Sequence, residues 1–227
     1  MTSKKNLFWS PKQTIDRLKS SLKNNLISIT TTDTILGFIG NLTLKSFESL
    51  NKIKGFRPEK PYLVLIWPKN KIQNFVESKN LNKKIYNLIE HCWPGPLTII
   101  FKAKKDLSHF LTSKDGKIAL RCPDHDKLKT LLESFDGLFS TSANKTGMPV
   151  PKSINNIDPE ILQKVEFVVS DEIKTQDLID MQSSLNQTLP STIIDVSSEN
   201  EILVVREGAY PVKELEKYYG SIFKKNN

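Results

Sequence analysis

Short apolar runs alternate with segments of helical periodicity along almost the whole chain, and no other feature of the sequence constrains the fold as strongly. Runs of about four to eight apolar and β-branched residues favour strands, whereas apolar residues three or four positions apart favour helices. The predicted strands are 26–30, 62–67, 97–101, 117–121, 137–141, 166–170, 192–196 and 201–206. The predicted helices are 11–24, 44–53, 81–91, 125–135 and 211–219.

Strands that alternate with helices predict an α/β fold. The last two predicted strands flank the turn-prone sequence SSEN and resemble an antiparallel hairpin, so the sheet is expected to be mixed. With 227 residues the chain can bury a core of its own, and we expect a single domain over residues 1–227. The polar stretch 171–190 is the best candidate for a mobile loop, and residues 222–227 are expected to fray.

The charge balance narrows the class of partner. The 33 basic and 25 acidic residues give a net charge of +8, which favours phosphate-bearing partners such as nucleotides, RNA or membrane surfaces. Only four of the basic residues are arginines, and three of them, Arg57, Arg121 and Arg206, lie near predicted strand ends. Where lysine is the default cation, a retained arginine indicates planar, bidentate recognition of a carboxylate or phosphate.

The sequence lacks the motifs of several common active sites and the segments that direct a protein to a membrane or out of the cell. The sequence has no GxxxxGK[ST] or GxGxxG motif, no HExxH motif and no GxSxG motif, so a P-loop, a Rossmann site, a protein-held zinc and a hydrolase elbow are not expected. No segment resembles a signal peptide or approaches the 18 apolar residues of a membrane span. Two cysteines are too few for a disulfide scaffold. We therefore expect a cytoplasmic protein without membrane association.

Polar clusters follow predicted strands, where open α/β sheets bind ligands. The first is the run 30–34 with Gly37 behind it; its hydroxyls and carboxylate can hold a small polar ligand, or equally form a turn or helix cap. The second is Lys54, Arg57 and Lys60 among glycine and prolines. These three cations can clamp a polyphosphate, or form a solvated basic loop.

Two further clusters lie later in the chain. The sequence STSAN at 140–144 offers hydroxyl and amide groups to a phosphate or nucleotide, and PST at 190–192 precedes a strand whose partner ends at Arg206. Trp93 is expected to pack in a rigid turn rather than to stack on a ligand. His125 is interpreted as a polar residue at a helix start in preference to a site group.

Together, seven segments resemble those of the YrdC-like family, and within it the TsaC-type threonylcarbamoyl-AMP synthases. They occur in the family's order and cover residues from about 10 to 212. The family counterparts are PTDTxYGL, KxRPxxKP, WPGPLT, RxPxH, TSANxSG, PSTIVD and RxGA. The segments of this chain are TTDTILGF at 31–38, KGFRPEKP at 54–61, HCWPGPLTIIF at 91–101, IALRCPDH at 118–125, STSANKTG at 140–147, PSTIID at 190–195 and VVREGA at 204–209.

The resemblance implies a twisted mixed α/β sheet with a large basic concave face, and a nucleotidyltransferase that makes threonylcarbamoyl-AMP and pyrophosphate from ATP, L-threonine and bicarbonate. Partner proteins would then transfer the threonylcarbamoyl group to tRNA, and Mg²⁺ would arrive with ATP rather than on a protein site. No covalent nucleophile is implied. The implied ATP and pyrophosphate residues are Lys54, Arg57, Lys60, Ser142, Asn144 and Arg206. The implied threonine residues are Thr32, Thr34, Arg121 and Ser191, with Arg121 the partner of the carboxylate.

The chain departs from the family pattern at several positions. Thr31 and Leu36 replace a proline and a tyrosine, Phe56 stands where an arginine would fall, and a histidine expected near Leu65 is missing. Two alternatives therefore stay open beside the synthase. One is a non-catalytic relative that binds RNA or the ribosome. The other is carbamoyl transfer as in hydrogenase maturation proteins, whose acylphosphatase and zinc-finger segments this chain lacks.

Overall fold

A computed structural model of the protein describes residues 6–9, 12–55, 61–171, 189–198 and 201–225. These residues form one mixed sheet of eleven strands. The strands are β1 (Asn6–Phe8), β2 (Ser28–Thr30), β3 (Gly37–Asn41), β4 (Leu63–Leu65), β5 (Leu97–Lys102), β6 (Lys117–Arg121), β7 (Leu138–Ser142), β8 (Val168–Ser170), β9 (Thr192–Asp195), β10 (Leu203–Arg206) and β11 (Lys224–Lys225).

The strand order across the sheet is β1-β8-β2-β3-β7-β4-β6-β5-β9-β10-β11. Parallel pairs (β1 with β8, β2 with β8, β4 with β6, β5 with β9, and β10 with β11) are mixed with antiparallel ones. The predicted hairpin is confirmed, because β9 and β10 pair antiparallel. The mixed α/β class predicted from the alternation of apolar runs is therefore correct.

Six helices lie within the described residues. Their starts follow the sequence: the side chain of Thr43 accepts a hydrogen bond from the backbone N–H of Ser46, and Asn82 does the same for Ile85. Their apolar stripes point at the sheet, as Leu50 and Ile53 of α2 do. The helices are α1 (Gln13–Lys23), α2 (Leu44–Lys54), α3 (Lys83–Cys92), α4 (Asp126–Leu132), α5 (Pro159–Lys164) and α6 (Val212–Tyr219). None of them has the length and apolar character needed to cross a membrane.

The two faces of the sheet are covered differently. Helices α2, α3 and α6 pack on one face and share a large apolar core with residues such as Phe38, Val64 and Phe139. On the other face, α1 and α4 form a smaller core with Ile39 and Leu138 at one end of the strands. The remainder of that face lines a cavity.

The structure adds elements that the sequence did not predict. Strand β3, with sequence GFIGN, contains two residues that disfavour strands, yet it pairs on both sides with β2 and β7. Gly40 leaves room there for Ile27, whose Cδ1 would lie 2.7 Å from a Cβ at this position and would have to shift. Strand β1 and helix α5 were not predicted either.

The chain end is also different from the expectation. Residues 222–227 were expected to fray, but Phe223 is buried against Tyr219 and β11 pairs with β10, so the chain is ordered to residue 225. Residues 226–227 lie outside the described residues, and so does most of the predicted mobile loop 171–190.

Candidate active site

The cavity lies on the sheet face that α1 and α4 leave uncovered, and it has a volume of about 670 Å³. Six of the residues singled out in the sequence line it, although they come from five separate segments of the chain. They are Thr32, Thr34, Arg121, Ser142, Ser191 and Arg206. Since alternate residues of a strand share a face, the central strands contribute every second side chain to the same concave surface.

The strand register places the two arginines in one row. Arg121 of β6 pairs with Thr98 of β5, Thr98 pairs with Ile193 of β9, and Ile193 pairs with Arg206 of β10. The last pairing depends on a β-bulge, because the register shifts between Val204 and Arg206. Without the bulge Arg206 would face the same side as Val204, which is buried in the large core. The bulge therefore brings Arg206 into the cavity, a recurrent use of bulges beside functional sites.

Arg121 is held at the bottom of this row and is only 4% exposed. Its Nε donates to the carbonyl of Gly95 at 3.1 Å, Nη1 to Oγ1 of Thr34 at 2.8 Å, and Nη2 to Oδ1 of Asp33 at 2.5 Å. Asp33 is also nearly buried, with a side chain 10% exposed. The pair is therefore a desolvated ion pair, and the guanidinium plane is fixed by three acceptors in three directions.

The threonine-rich run forms a compact turn beside Arg121. Oγ1 of Thr32 accepts from the backbone N–H of Thr34 at 3.1 Å and donates to the carbonyl of Ile35 at 2.9 Å. Thr31, at the position of the family's proline, accepts a hydrogen bond from the indole of Trp9 at 3.0 Å. The run was interpreted either as a ligand-binding segment or as a turn. In the structure its hydroxyls form a turn, and this turn lines the cavity.

Ser191 and Arg206 form the opposite wall of the recess. Arg206 donates from Nε and Nη2 to the Ser191 carbonyl at 3.1 and 2.8 Å, and Oγ of Ser191 lies 2.8 Å from Oγ1 of Thr98. Desolvation, followed by the charge of Arg121, lowers the pKa of Arg206 below its ordinary value. An arginine still remains protonated, so Arg206 contributes a positive charge, and its hydrogen bonds to Ser191 go to neutral oxygens.

This wall is held by Thr192 and Gly208. Oγ1 of Thr192 accepts from the backbone N–H groups of Gly208 and Tyr210, at 2.8 and 3.1 Å. A Cβ at Gly208 would lie 2.1 Å from the carbonyl oxygen of Pro190, so the two chain segments are in contact at their backbones. The family-like sequence REGA thus has a glycine because the PST segment passes directly against it.

The structure describes only some of the residues that were predicted to bind phosphate. Lys54 is 4% exposed, and its Nζ donates to the Ser142 carbonyl at 2.9 Å and to Oδ1 of Asn144 at 3.0 Å. Oγ of Ser142 donates to the same amide oxygen of Asn144 at 2.6 Å. These three residues therefore form one network. Arg57 and Lys60 lie outside the described residues.

The other end of the cavity carries a polar cluster that sequence reasoning missed. Nζ of Lys117 lies 3.0 Å from Oδ2 of Asp195 and 3.2 Å from Oδ2 of Asp115. The hydrogen bond from Lys117 to Asp195 is the largest of the effects that raise the pKa of this lysine. The signal was present, because Lys117 is four residues before Arg121 in one strand and must share its face.

Two interpretations of single residues are confirmed. Trp93 is 2% exposed and its indole donates to the Leu97 carbonyl at 2.7 Å, so it packs in the turn before β5. Nδ1 of His125 accepts from the backbone N–H of Leu128 and caps α4. Its Nε2 lies 3.2 Å from Asp171, and this contact is the main cause of the lowered pKa of the Asp171 carboxyl.

The arrangement favours binding and charge stabilisation. Burial raises the pKa of the Cys122 thiol to about 12 and also raises that of Cys92, so neither supplies a thiolate at neutral pH. Across the described ranges, no three histidine, cysteine, aspartate or glutamate side chains are grouped as a metal site would require. What this part of the cavity offers is two arginines and several hydroxyls, a donor set suited to carboxylates and phosphates; Lys54 and Asn144 form their network with Ser142 behind the lining.

Comparisons with known proteins identify the family. A family model described as "Sua5_yciO_yrdC: Telomere recombination" matches residues 20–208. A protein of Methanocaldococcus jannaschii named "Putative threonylcarbamoyl-AMP synthase" is 33% identical over 205 residues, which are 90% of each chain.

Two solved structures share the fold. Pyrococcus abyssi Sua5 complexed with L-threonine superposes with a TM-score of 0.81 at 21% identity over 97% of this chain, which spans 62% of that protein. Escherichia coli YciO superposes with a TM-score of 0.77 at 18% identity, covering 95% of this chain and 100% of YciO.

Proposed function

Because the chain belongs to the Sua5/YciO/YrdC family, we propose that it is a threonylcarbamoyl-AMP synthase, a nucleotidyltransferase that joins L-threonine, bicarbonate and the AMP part of ATP with release of pyrophosphate. The observation that carries this proposal is the convergence of the family-like segments on one cavity. Residues near 32, 121, 142, 191 and 206 line the same surface, so the motifs describe one site rather than separate local turns.

We assign the recess around Arg121 to L-threonine. A buried guanidinium held by three acceptors still has N–H groups for a carboxylate. Thr34, Arg121 and Ser191 are each less than a tenth exposed, which suits a small ligand. Asp33 balances the charge of Arg121, and Arg206 on the opposite wall leaves one positive charge over, so the recess suits an amino acid with one carboxylate better than a polyanion. The threonine residues are Thr32, Thr34, Arg121 and Ser191.

We assign the adjoining side of the cavity to ATP and pyrophosphate. Lys54, Ser142 and Asn144 are already joined by hydrogen bonds, and Arg57 and Lys60 belong to the same basic segment. Arg206 contacts Ser191 of the threonine set, so we assign its charge to the boundary between the two proposed subsites. A cation at that position can neutralise the phosphate at which the two substrates react.

The proposed chemistry needs no nucleophilic side chain. Threonine and bicarbonate give a carbamate with loss of water, and a carbamate oxygen then attacks the α-phosphorus of ATP as the bond to pyrophosphate breaks. The protein would hold the reactants in line and stabilise the charge that develops on the leaving pyrophosphate. Lys54, Arg206 and the predicted cations Arg57 and Lys60 would supply that charge.

Magnesium would enter with ATP. Mg²⁺ prefers oxygen ligands and keeps several waters, usually with one or two carboxylates plus substrate phosphates. On this side of the cavity the lining offers the hydroxyl of Ser142, and the carboxylates of the lining, Asp115 and Asp195, lie at the other end beside Lys117. The neutral hydroxyl fits a metal held mainly by the phosphates of ATP.

The product would be consumed by another protein. A mixed anhydride of a carbamate and AMP is an activated acyl donor, so we propose that threonylcarbamoyl transferase partners in the cytoplasm pass the group to tRNA. The net charge of +8 is consistent with an additional contact to tRNA or other RNA.

Pyrophosphate release tests the proposal. The purified chain, supplied with ATP and Mg²⁺, should release pyrophosphate only when both L-threonine and bicarbonate are present. A folded protein that releases none under these conditions contradicts the proposal. If the same protein binds RNA with a steep salt dependence and shows no affinity for ATP, the non-catalytic RNA-binding alternative is favoured instead.

A further inference from the structure

Arg206 depends on the backbone of β10 for its position. Its side chain is exposed, and its hydrogen bonds to the Ser191 carbonyl hold one side of the guanidinium. The bulge between Val204 and Arg206 turns this side chain away from the core and into the cavity. A bulge interrupts the hydrogen-bond ladder of a strand pair and leaves an extra residue unpaired. What holds the edge of β10 opposite β9 therefore bears on where Arg206 points.

Strand β11 holds this outer edge immediately before the bulge. Leu203 pairs with Lys224 and Val204 pairs with Lys225, both in parallel register. The backbone N–H of Lys224 donates to the carbonyl of Ile202 at 2.8 Å. If β11 were released, β10 would become an edge strand that is paired with β9 alone, through the ladder that the bulge interrupts.

The two lysines of β11 reach residues on both sides of the bulge. Lys224 forms an ion pair with Glu201, which precedes β10. Nζ of Lys225 lies 3.8 Å from Oε2 of Glu207, the residue after Arg206. Exposed ion pairs contribute little stability, so the strength of the attachment has to come from elsewhere.

Phe223 anchors the segment that carries β11. Its side chain is 5% exposed and belongs to the large core, and its ring lies 5.6 Å from that of Tyr219 at an angle of 71°. Its backbone N–H donates to Oε1 of Glu216 at 2.9 Å. Tyr219 and Glu216 both belong to α6, and a buried aromatic side chain is a strong apolar contact. Phe223 thus fixes β11 to α6, whereas its neighbour Ile222 is 87% exposed.

We propose that Phe223 and β11 are positioning elements for Arg206: by fixing the outer edge of β10 they keep the bulge formed and the guanidinium in the cavity. None of the described residues that line the cavity belongs to 221–225, so the effect passes through β10. The expected effect on catalysis rests on the proposed function, because it takes Arg206 to stabilise the charge on the leaving pyrophosphate.

NMR relaxation of the arginine side chains tests the positioning independently of the reaction. The chain has only four arginines, so the Nε–H signals are few, and Nε of Arg206 is one of the groups that donate to the Ser191 carbonyl. The order parameter of this N–H should be high in the unmodified chain and should fall below about 0.6, the range of flexible groups, in Phe223→Ala. Ile222→Ala is the matched control and should leave it unchanged.

Pyrophosphate release measures the consequence for the reaction. A misplacement of about 1 Å can cost roughly 100-fold in rate, and we expect Phe223→Ala to lower kcat by about tenfold. If this effect passes through Arg206, Phe223→Ala should cost less than about twofold more in a chain that already carries Arg206→Ala. The same change should keep its full effect beside Arg57→Ala. A general loss of stability would lower all of these chains alike.

Lys224→Pro tests the same attachment without opening the core, in case Phe223→Ala does not fold. Proline removes the N–H that donates to the Ile202 carbonyl. Lys224→Ala keeps this N–H and removes the ion pair with Glu201. The proline variant should lower both the Arg206 order parameter and kcat, and the alanine variant should change neither.

Two results would overturn the inference. One is an Arg206 order parameter that is unchanged in folded Phe223→Ala and Lys224→Pro chains. The other is a tenfold further loss of kcat when Phe223→Ala is added to Arg206→Ala. An unmodified chain that releases no pyrophosphate contradicts the proposed reaction, whereas a lowered order parameter in the variants of that chain still supports the positioning.

Discussion

The two ends of the cavity hold the same kind of ion pair in different surroundings. Both cations come from β6, where Lys117 and Arg121 share a face four residues apart. The Arg121–Asp33 pair has side chains 5% and 10% exposed, and the arginine also donates to Thr34 and Gly95. In the Lys117–Asp195 pair the lysine is 32% exposed and reaches a second carboxylate, Asp115.

The difference shows which end is built to hold a ligand in a fixed position. A buried pair is costly to desolvate and is best stabilised when hydrogen bonds satisfy the rest of each group. Arg121 is satisfied by Thr34 and Gly95, whereas Oδ2 of Asp33 is buried with no hydrogen-bond partner among the described residues. A pair that keeps contact with water contributes little and can rearrange. We therefore expect the Arg121 end to set the position of the amino acid, and the Lys117 end to add little to binding or stability.

The largest effect is expected at Arg121. Arg121→Ala leaves Asp33 buried without its partner, which typically costs about 3–5 kcal/mol of unfolding free energy. In calorimetric titrations it should also weaken L-threonine more than ATP, whereas Arg57→Ala should weaken ATP more than L-threonine. Arg17→Ala is the control, since Arg17 lies exposed on α1 against Phe167. Equal losses of both ligands in the two site variants would contradict our division of the cavity.

A smaller effect is expected where the Ser191 wall meets the chain before α6. Gly208→Ala places a Cβ 2.1 Å from the Pro190 carbonyl oxygen, so the backbone beside Ser191 must move. Overpacking of this kind typically costs about 1–3 kcal/mol, which denaturant unfolding would measure, and L-threonine should bind more weakly. As a control, Gly116→Ala alters a glycine with no atoms near its Cβ position, although its φ of 72° gives it a cost in backbone strain. Unchanged L-threonine affinity in Gly208→Ala would show that this wall does not position the ligand.

Lys117→Met tests the solvated end of the cavity. Methionine keeps most of the side-chain volume, and Asp195 retains the backbone N–H of Ser197 as a donor at 2.8 Å. We expect a loss of about 1 kcal/mol or less in unfolding free energy and L-threonine affinity within about twofold of the unmodified chain. If Lys117→Met lost as much unfolding free energy or L-threonine affinity as Arg121→Ala, the two ends of the cavity would not differ as we infer.

The smallest expected effect is the pH dependence of the Lys117 contribution. The pKa of Lys117 is raised above 10.5 in the folded chain, chiefly by its hydrogen bond to Asp195. A raised lysine pKa contributes stability that is fully present below the unfolded value and is lost as the pH rises through the folded value. The stability difference between the unmodified chain and Lys117→Met should therefore be constant up to about pH 10 and shrink above it. A difference that grows at high pH would contradict this assignment.

Elements with strong local patterns could be predicted from the sequence. The run KIALR forms β6 over the predicted residues, and the stripe of Leu44, Phe47, Leu50 and Ile53 forms α2. Strand β3 could not be predicted in this way, because its glycines disfavour a strand and its stability comes from pairing with β2 and β7.

The sequence predicted which residues form the site better than it predicted where their side chains lie. The motifs identified Arg121 and Arg206, but the alternation of β10 would have placed Arg206 on the core side with Val204. Only the bulge in the pairing with β9 explains its position in the cavity. Lys117 and Asp195 escaped notice because neither belongs to a polar cluster, and only the strand register brings them together.

The central claim is that the recess around Arg121 binds L-threonine beside ATP. A crystal structure of the chain with L-threonine and a non-hydrolysable ATP analogue tests it most directly. Our account predicts the amino-acid carboxylate on the Arg121 guanidinium, with the triphosphate on the side of Lys54, Ser142 and Asn144. L-Threonine bound elsewhere, or the triphosphate bound at Arg121, would contradict it.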